Sequence, residues 1–370
     1  MKKILLTTVI ASVALVSCVK EDATNLQNGA KQKITFDTPV LYGNENSRAN
    51  VLGEVETYQT SEKFTIYAVS HTNEFIGWEA QGVAPAEFNN TIVSYDPTVN
   101  GWAPKQVGGD YYYWENGKMM SFAACSPADV NAISSYDEAG LEITDFEVPA
   151  VGEQYDLMFS ERSLNKTSND MTVGEEGYKG VQIKFQHALS SIRFALVNSY
   201  EKDVVLTDIE IKDVFNKGTF NENITEDPED YIADPKWTLE STTANYVAFA
   251  GEATFPKIAK DATEWTAELV KDVMTSGSTC NQLLLMPQDL SEDAILLVHY
   301  TVDGKENTKE VALKGLKTKA ATPAAIDSWE MGTRYTYILM YSQETAAKDK
   351  IYFAPEVAGW VDADQIIVNL

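Results

Sequence analysis

The sequence predicts an all-β protein, and three observations carry that prediction. Short runs of aromatic and β-branched residues recur along the chain, Gly, Pro, Asn and Asp interrupt them at short intervals, and helical periodicity is weak. Many short strands between regular turn signals are the pattern of β-sandwiches. With 370 residues and a hydrophobic fraction of 44%, the chain is long enough for two domains in tandem, each with its own core.

The first residues stand apart from this pattern. Lys2 and Lys3 precede an apolar run from Ile4 to Val16. Such a run is too short for a bilayer core of about 30 Å, which takes roughly 20 apolar residues. It ends in Leu15-Val16-Ser17-Cys18, which resembles a bacterial lipobox, in which the cysteine is acylated and becomes the new N-terminus. Residues 1–17 are therefore expected to be a lipoprotein signal peptide and Cys18 the lipidation site. No later run reads as a membrane helix, so the lipid would anchor the chain to the outer membrane. An ordinary secretory signal with a chance cysteine is the alternative. The residues that follow, Val19-Lys20-Glu21-Asp22, resemble the surface-export signals of bacterial lipoproteins.

The elements follow in order. Lys33 to Val40 alternates, with Ile34, Phe36 and Val40 on one face, and reads as the first strand. A polar, Gly-containing stretch, Tyr42 to Asn50, comes next. Lys63 to Val69 is short, aromatic and β-branched but keeps no clean period of two. A turn or two is expected near Pro127 to Ser135. Ser160 to Gly180 has few large apolar residues and reads as a long loop or linker, which sets a domain boundary near residue 180. Further strands are expected at Asp203 to Val214, Ala248 to Phe255, Gln282 to Met286, Ala294 to Thr301, Thr308 to Leu313, Thr333 to Tyr341 and Asp364 to Leu370, with one short helix near Ala320 to Asp327. Around His187 the phase changes: Ile183, Phe185 and Leu189 share one parity, Ile192, Phe194 and Leu196 the other. A bulge or tight turn at Ser190-Ser191 would produce that shift.

Composition excludes several functions. A net charge of −26 opposes nonspecific attraction to nucleic acid or to anionic membrane. Acidic clusters such as Glu226-Asp227 and Glu229-Asp230 read as a solvated face; calcium binding is the lesser alternative, since no EF-hand spacing is present. With Cys18 lipidated, Cys125 and Cys280 remain, either as one disulfide or as two buried thiols. His71, His187 and His299 lie far apart, outside any metal-ligand spacing, and no nucleophile elbow, P-loop or dinucleotide motif occurs. His187 reads as a structural hydrogen-bonding residue. No catalytic, metal or cofactor residue is assigned, and no cofactor is expected. A hidden pair of carboxylates of the glycosidase type has no cleft to mark it. The scattered tryptophans Trp78, Trp102, Trp114, Trp237, Trp265, Trp329 and Trp360 read as core rather than as a glycan platform.

Four segments together resemble the fimbrillin family, the subunits of type V pili. They are Tyr111-Tyr-Tyr-Trp-Glu-Asn-Gly-Lys-Met-Met-Ser-Phe-Ala-Ala-Cys-Ser-Pro127, Tyr155-Asp-Leu-Met-Phe-Ser160, Phe185-Gln-His-Ala-Leu-Ser-Ser-Ile-Arg-Phe194, and Gly332-Thr-Arg-Tyr-Thr-Tyr-Ile-Leu-Met-Tyr341 followed by Ile351-Tyr-Phe-Ala-Pro-Glu-Val-Ala-Gly-Trp360. Their order covers the chain from about residue 110 onward.

The resemblance implies two transthyretin-like β-sandwich domains, 49–180 and 181–370, behind a propeptide, 18–48, that carries the first strand. It also implies a route to assembly. An Arg-specific protease would cut at Arg48-Ala49, detaching both the lipid and the strand of Ile34, Phe36 and Val40. A strand from another pilin subunit would then fill the groove. The polar stretch around Arg48 is of the kind proteases reach. Ile366, Val368 and Leu370 alternate at the end of the sequence and are the candidate donor strand, or else simply the last strand of the second domain. The implied partners are other pilin subunits, the protease and, before processing, the outer membrane; nucleic acid is not among them. The alternative is a surface lipoprotein that keeps its anchor, as the anchor subunit of a pilus or as a glycan-binding module. Residues 1–48 carry a net +2, so the remainder would hold −28, and self-repulsion would leave strand exchange as the specific contact.

Overall fold

The structure is a computed structural model that describes residues 32–41, 58–72, 74, 78, 88–128, 130, 133–168, 180–199, 201–227, 230–257, 270–272, 282–318, 324–342, 361–362 and 366–369. The protein is all-β. Its first ten strands are β1 (Val40–Leu41), β2 (Lys63–His71), β3 (Phe88–Asp96), β4 (Gly101–Pro104), β5 (Met119–Ser126), β6 (Ile133–Asp137), β7 (Gly140–Glu147), β8 (Met158–Ser160), β9 (Ser163–Lys166) and β10 (Lys184–His187). Next come β11 (Ser190–Ser199), β12 (Val204–Phe215), β13 (Lys217–Asn221), β14 (Thr225–Asp227), β15 (Asp230–Ile232), β16 (Lys236–Leu239), β17 (Thr243–Phe255), β18 (Val270–Asp272) and β19 (Leu283–Leu285). The last are β20 (Gln288–Asp289), β21 (Ile295–Val302), β22 (Lys305–Ala312), β23 (Leu316–Lys317), β24 (Ala325–Ile326), β25 (Ser328–Trp329), β26 (Thr333–Ser342), β27 (Val361–Asp362) and β28 (Ile366–Asn369).

The largest sheet has the order β1-β10-β8-β5-β2-β3-β4, with β9 paired to β5. Its inner side surrounds one core, made by Ile34, Phe36, Phe64, Ile66, Phe88, Trp102, Phe122, Met158 and Phe185 among others. Its outer side, with Tyr67, Val69, Ala123, Cys125 and Phe159, joins a second core that runs through the rest of the molecule. That is why Lys63 to Val69 shows no period of two: every side chain from Phe64 to Val69 is buried, because both faces of β2 are covered. The same holds for β5.

A four-stranded sheet, β16-β13-β7-β6, covers that outer side, with Phe220 of β13 against Phe159 of β8 at 4.9 Å and Tyr136 of β6 against Tyr67 of β2 at 5.4 Å between ring centroids. Because β7 pairs with β13, this sheet joins chain from both sides of residue 180. Two further large sheets follow, β17-β12-β21-β22 and β18-β11-β26-β27, the latter extended by β19 and β28, and three two-stranded sheets, β14-β15, β20-β25 and β23-β24, complete the described residues. In β21 burial alternates residue by residue, so Leu296, Val298, Tyr300 and Val302 face the core as a half-buried strand should.

Several expectations are corrected. Ala325–Ile326 forms β24, paired with β23, in place of the end of the expected helix at 320–327; backbone pairing to Leu316 and Lys317 overrides a weak helical signal. Ser163–Lys166 is not loop but β9, held through its backbone to Met120 and Phe122 of β5, although its side chains offer little apolar surface. The expected turn near Pro127 to Ser135 gives way at Ile133 to β6. The phase change near His187 comes from a transfer between sheets: β10 ends at His187, and the chain enters another sheet at Ser190. Ser190 and Ser191 are not bulged, because they sit in register with Leu285 and Leu284 of β19.

Candidate functional site

The two edges of the largest sheet meet at the first strand. Phe36 bridges Trp102 on the β4 side, antiparallel, and Val181 on the β10 side, parallel. The segment 32–41 therefore lies in a slot between residues 102–114 and residues 181–185 and closes the sheet on itself. On one wall, the amides of Ile34 and Phe36 donate to the carbonyls of Tyr112 (2.9 Å) and Trp102 (2.7 Å), while Trp102 and Trp114 donate back to Phe36 and Gln32, each at 2.9 Å. On the other wall, Asp37 and Val40 donate to Val181 (3.1 Å) and Ile183 (2.9 Å), and Val181 donates to Thr35 at 2.8 Å.

Side chains complete the fit. The Phe36 ring is fully buried, edge-on to Phe64 at 5.8 Å and to Phe122 at 5.3 Å. Ile34 is buried beside it. Tyr58 roofs the same core, stacked on Phe185 at 5.6 Å and bonded through its hydroxyl to Ser126 Oγ at 2.9 Å; burial pushes that hydroxyl well above its usual range. Val40 does not share the face of Ile34 and Phe36. It is 37% exposed, and Leu41 is the buried residue, 4% exposed. The phase slips across Asp37-Thr38-Pro39, where Thr38 turns its amide onto the Asp37 carboxylate at 2.7 Å.

Gly180 is a partner that alternation alone does not reveal. Its φ is +148°, and a Cβ there would stand 2.0 Å from the carbonyl oxygen of Thr35. Only a residue without a side chain lets this wall come so close to the first strand. The other rim carries charge at the start of the slot. Lys33 lies 3.8 Å and Lys105 3.2 Å from the centre of the Tyr111 ring, and Lys105 also pairs with Asp96 at 2.7 Å. The Lys105 ammonium, with the Tyr111 hydroxyl beside it, holds the Asp96 carboxyl far below its usual range.

The remaining candidates separate. Cys18, Arg48, Ala49 and Leu370 lie outside the described residues. Ile366 and Val368 fall in β28, parallel to β26 opposite Tyr337 and Leu339. The histidines are not brought together: His71 bonds Ser121 Oγ at 3.1 Å, His187 pairs with Asp156 at 2.9 Å, and His299 bonds Thr308 at 2.9 Å. Among the described residues, no cluster suits a metal ion, and no helix is long and apolar enough to cross a membrane. Trp78, Trp102, Trp114 and Trp329 are core residues, and Trp237 packs against the second core; Trp265 and Trp360 lie outside the described residues. Cys125 is a free buried thiol whose burial pushes it up to about 12, so it stays protonated; Cys280 is outside the described residues.

Comparison with known proteins adds the family. The sequence profile described as fimbrillin-like matches residues 47–360. Among solved structures, a candidate cell adhesion protein from Bacteroides uniformis is similar at 13% identity and a TM-score of 0.44, over 85% of this chain and 94% of that one. A second candidate cell adhesion protein, from Parabacteroides distasonis, is similar at 11% identity and a TM-score of 0.39, over 90% of this chain and 94% of that one. A fimbrial protein from Bacteroides ovatus is similar at 13% identity and a TM-score of 0.32, over 85% of this chain and 50% of that one. No curated protein matches the chain. Matched over most of its length, the chain belongs to the fimbrillin-like family.

Proposed function

We propose that the protein is a structural subunit of a cell-surface pilus, exported as a lipoprotein through Cys18 and assembled by strand exchange after a cut at Arg48-Ala49, in the service of adhesion. The observation that carries this reading is the slot. It is filled by the one segment that a cut at Arg48 would separate from the rest of the chain.

The energetics favour exchange over an empty slot. Ile34, Phe36 and Leu41 are buried, and burial of such side chains stabilises by roughly 1.5–3 kcal/mol each. Loss of the strand would also strand the inward carbonyls of Trp102, Tyr112, Val181 and Ile183 and the amides of Trp102, Trp114 and Val181. A buried polar group left without a partner costs about 1–3 kcal/mol. The emptied slot is an exposed sheet edge on both sides, with an apolar floor, and an extended strand from a second chain supplies what both lack.

The test is Arg48→Ala in the native host. The variant precursor should melt close to the wild type, because residues 32–41, which fill the slot, are unchanged, and should form no fibres. Normal fibres from this variant would remove Arg48 from the mechanism.

A further inference from the structure

The largest sheet divides beside the first strand. Val181 serves that strand, donating to Thr35 and accepting from Asp37, and the Ile183 carbonyl accepts from Val40. Alternate residues of an extended chain turn to opposite sides, so the carbonyls of Gln182 and Lys184 face the segment that runs from β8 into β9. The Glu161 amide donates to Lys184 at 3.3 Å, and Ser163 Oγ donates to Gln182 at 3.4 Å. Both bonds are long, and beyond them the two segments part. β9 follows β5 instead, with Ser163 opposite Phe122 and Lys166 opposite Met120 across a register shift. Asn165, at a φ of +55°, is pinned there by its amide to Ser121 Oγ at 3.0 Å. A cleft of about 420 Å³ is left between 161–166 and 181–184.

That volume lies in the range of small-molecule sites, roughly 300–1,000 Å³. The lining does not suit an apolar ligand, since Leu164 and Val181 are its only apolar residues. Charge sets it apart. In a chain of net charge −26, Arg162, Lys166 and Lys184 meet the single carboxylate of Glu161. Among the described residues Lys166 and Lys184 have no ion pair, whereas Lys105, Lys217 and Lys314 are paired with acids. Arg162 is buried, its guanidinium donating to the Tyr136 hydroxyl at 2.7 Å and the Glu138 carbonyl at 3.0 Å, so it gives the cleft a fixed charge.

Glu161 then discriminates among anions. A carboxylate beside the lysines repels a bare inorganic anion or an acidic peptide, but it accepts hydrogen bonds from hydroxyl groups. The Gln182 amide and the Ser163 hydroxyl add neutral donors and acceptors. Such a set fits a molecule that carries one acid group and several hydroxyls. We propose that this cleft binds an acidic saccharide, with its carboxylate or sulfate on Lys166 and Lys184 and its hydroxyls on Glu161, Ser163 and Gln182. All of these residues follow Arg48, so the site belongs to the cut and the uncut chain alike and does not rest on strand exchange.

The test titrates the uncut chain by calorimetry with a tetrasaccharide of glucuronate and N-acetylglucosamine, its sulfated counterpart and neutral lactose. The acidic probes should bind and lactose should not; a preference between the two acidic probes tells whether the lysines take a carboxylate or a sulfate ester. Lys184→Glu, at an exposed position, should weaken the acidic probes about tenfold or more, because a charge-assisted bond is lost. Lys305→Glu at the start of β22, outside the cleft, makes the same change in net charge and should leave binding as it was. Lys166→Gln should weaken the acidic probes several-fold. Glu161→Gln should weaken the saccharides but strengthen binding of inorganic sulfate. No binding of either acidic probe, equal binding of lactose, equal effects of Lys184→Glu and Lys305→Glu, or an acidic hexapeptide that binds as tightly as the saccharides overturns the proposal.

Discussion

Phe36 and Gly180 meet the slot from opposite sides, one by filling it and one by leaving it room. Phe36→Asp removes a fully buried ring and places a carboxylate among Phe64 and Phe122. Loss of such a ring alone costs about 3–5 kcal/mol, so urea denaturation of the precursor should show at least that loss. An unchanged midpoint would contradict the burial. Gly180→Ala sets a methyl against the Thr35 carbonyl and should destabilise the precursor. After cleavage and removal of residues 1–48 the same substitution should cost less, because the clash goes with the departed strand and only the backbone strain of a φ of +148° remains. An equal loss in both forms would place the strain elsewhere. Glu222 acts on stability through pH. It is 1% exposed, accepts a bond from the Leu141 amide at 2.9 Å, and its desolvation raises it to about 7, against the opposing pull of that bond and of Arg162. A folded-state value raised above the unfolded 4.5 means that the folded chain binds the proton more tightly. The contribution is therefore fully present below about pH 4.5 and is lost as pH rises to about 7. Glu222→Gln keeps an acceptor for Leu141 and should flatten the stability profile over that window, relative to wild type. Parallel profiles for the two proteins would exclude Glu222 as the source.

At the scale of elements, legibility follows the number of buried faces. Strands with one wet face, such as β21, announce themselves by alternation, and Asp203 to Val214 reads as strand despite its register shifts because Val204, Leu206, Ile209, Ile211 and Val214 still turn inward. The family segment at Tyr111 to Pro127 is legible as chemistry rather than as period: the small and aromatic residues of its strand β5 are buried on both faces, where two cores share one sheet. β9 was not legible, because backbone pairing to β5 needs no apolar pattern. The first strand was half legible. Ile34 and Phe36 follow the alternation, but the turn of Thr38 onto Asp37 shifts the phase and puts Leu41 inward in place of Val40. Its other wall was hidden, since nothing in a glycine at 180 states that it faces Thr35. The prediction at this scale concerns the strand as a unit. Removal of residues 1–48 should lower the melting temperature of the isolated chain by more than 10 °C, since a loss of 1 kcal/mol shifts a chain of comparable domain size by about 2–4 °C. Hydrogen exchange should quicken at Trp102, Trp114 and Val181, the amides that donate to the strand. Unchanged protection there would mean that the slot does not depend on its occupant.

For the whole molecule, charge and contact divide the labour. A chain of net charge −26 repels its own copies, so association requires a contact with a large local gain. In the proposed assembly, a strand of another subunit seated in the slot would supply such a gain through a hydrophobic floor and two hydrogen-bonded edges, and its direction would make repetition yield a linear polymer rather than a clump. Everything in that account depends on whether the first strand leaves. The N-terminal sequence and intact mass of the protein taken from the surface of its own cells decide the point. The account predicts a chain that begins at Ala49 and carries no lipid. A lipidated chain beginning at Cys18, with residues 32–41 still in place, would contradict it and would identify a subunit that stays anchored.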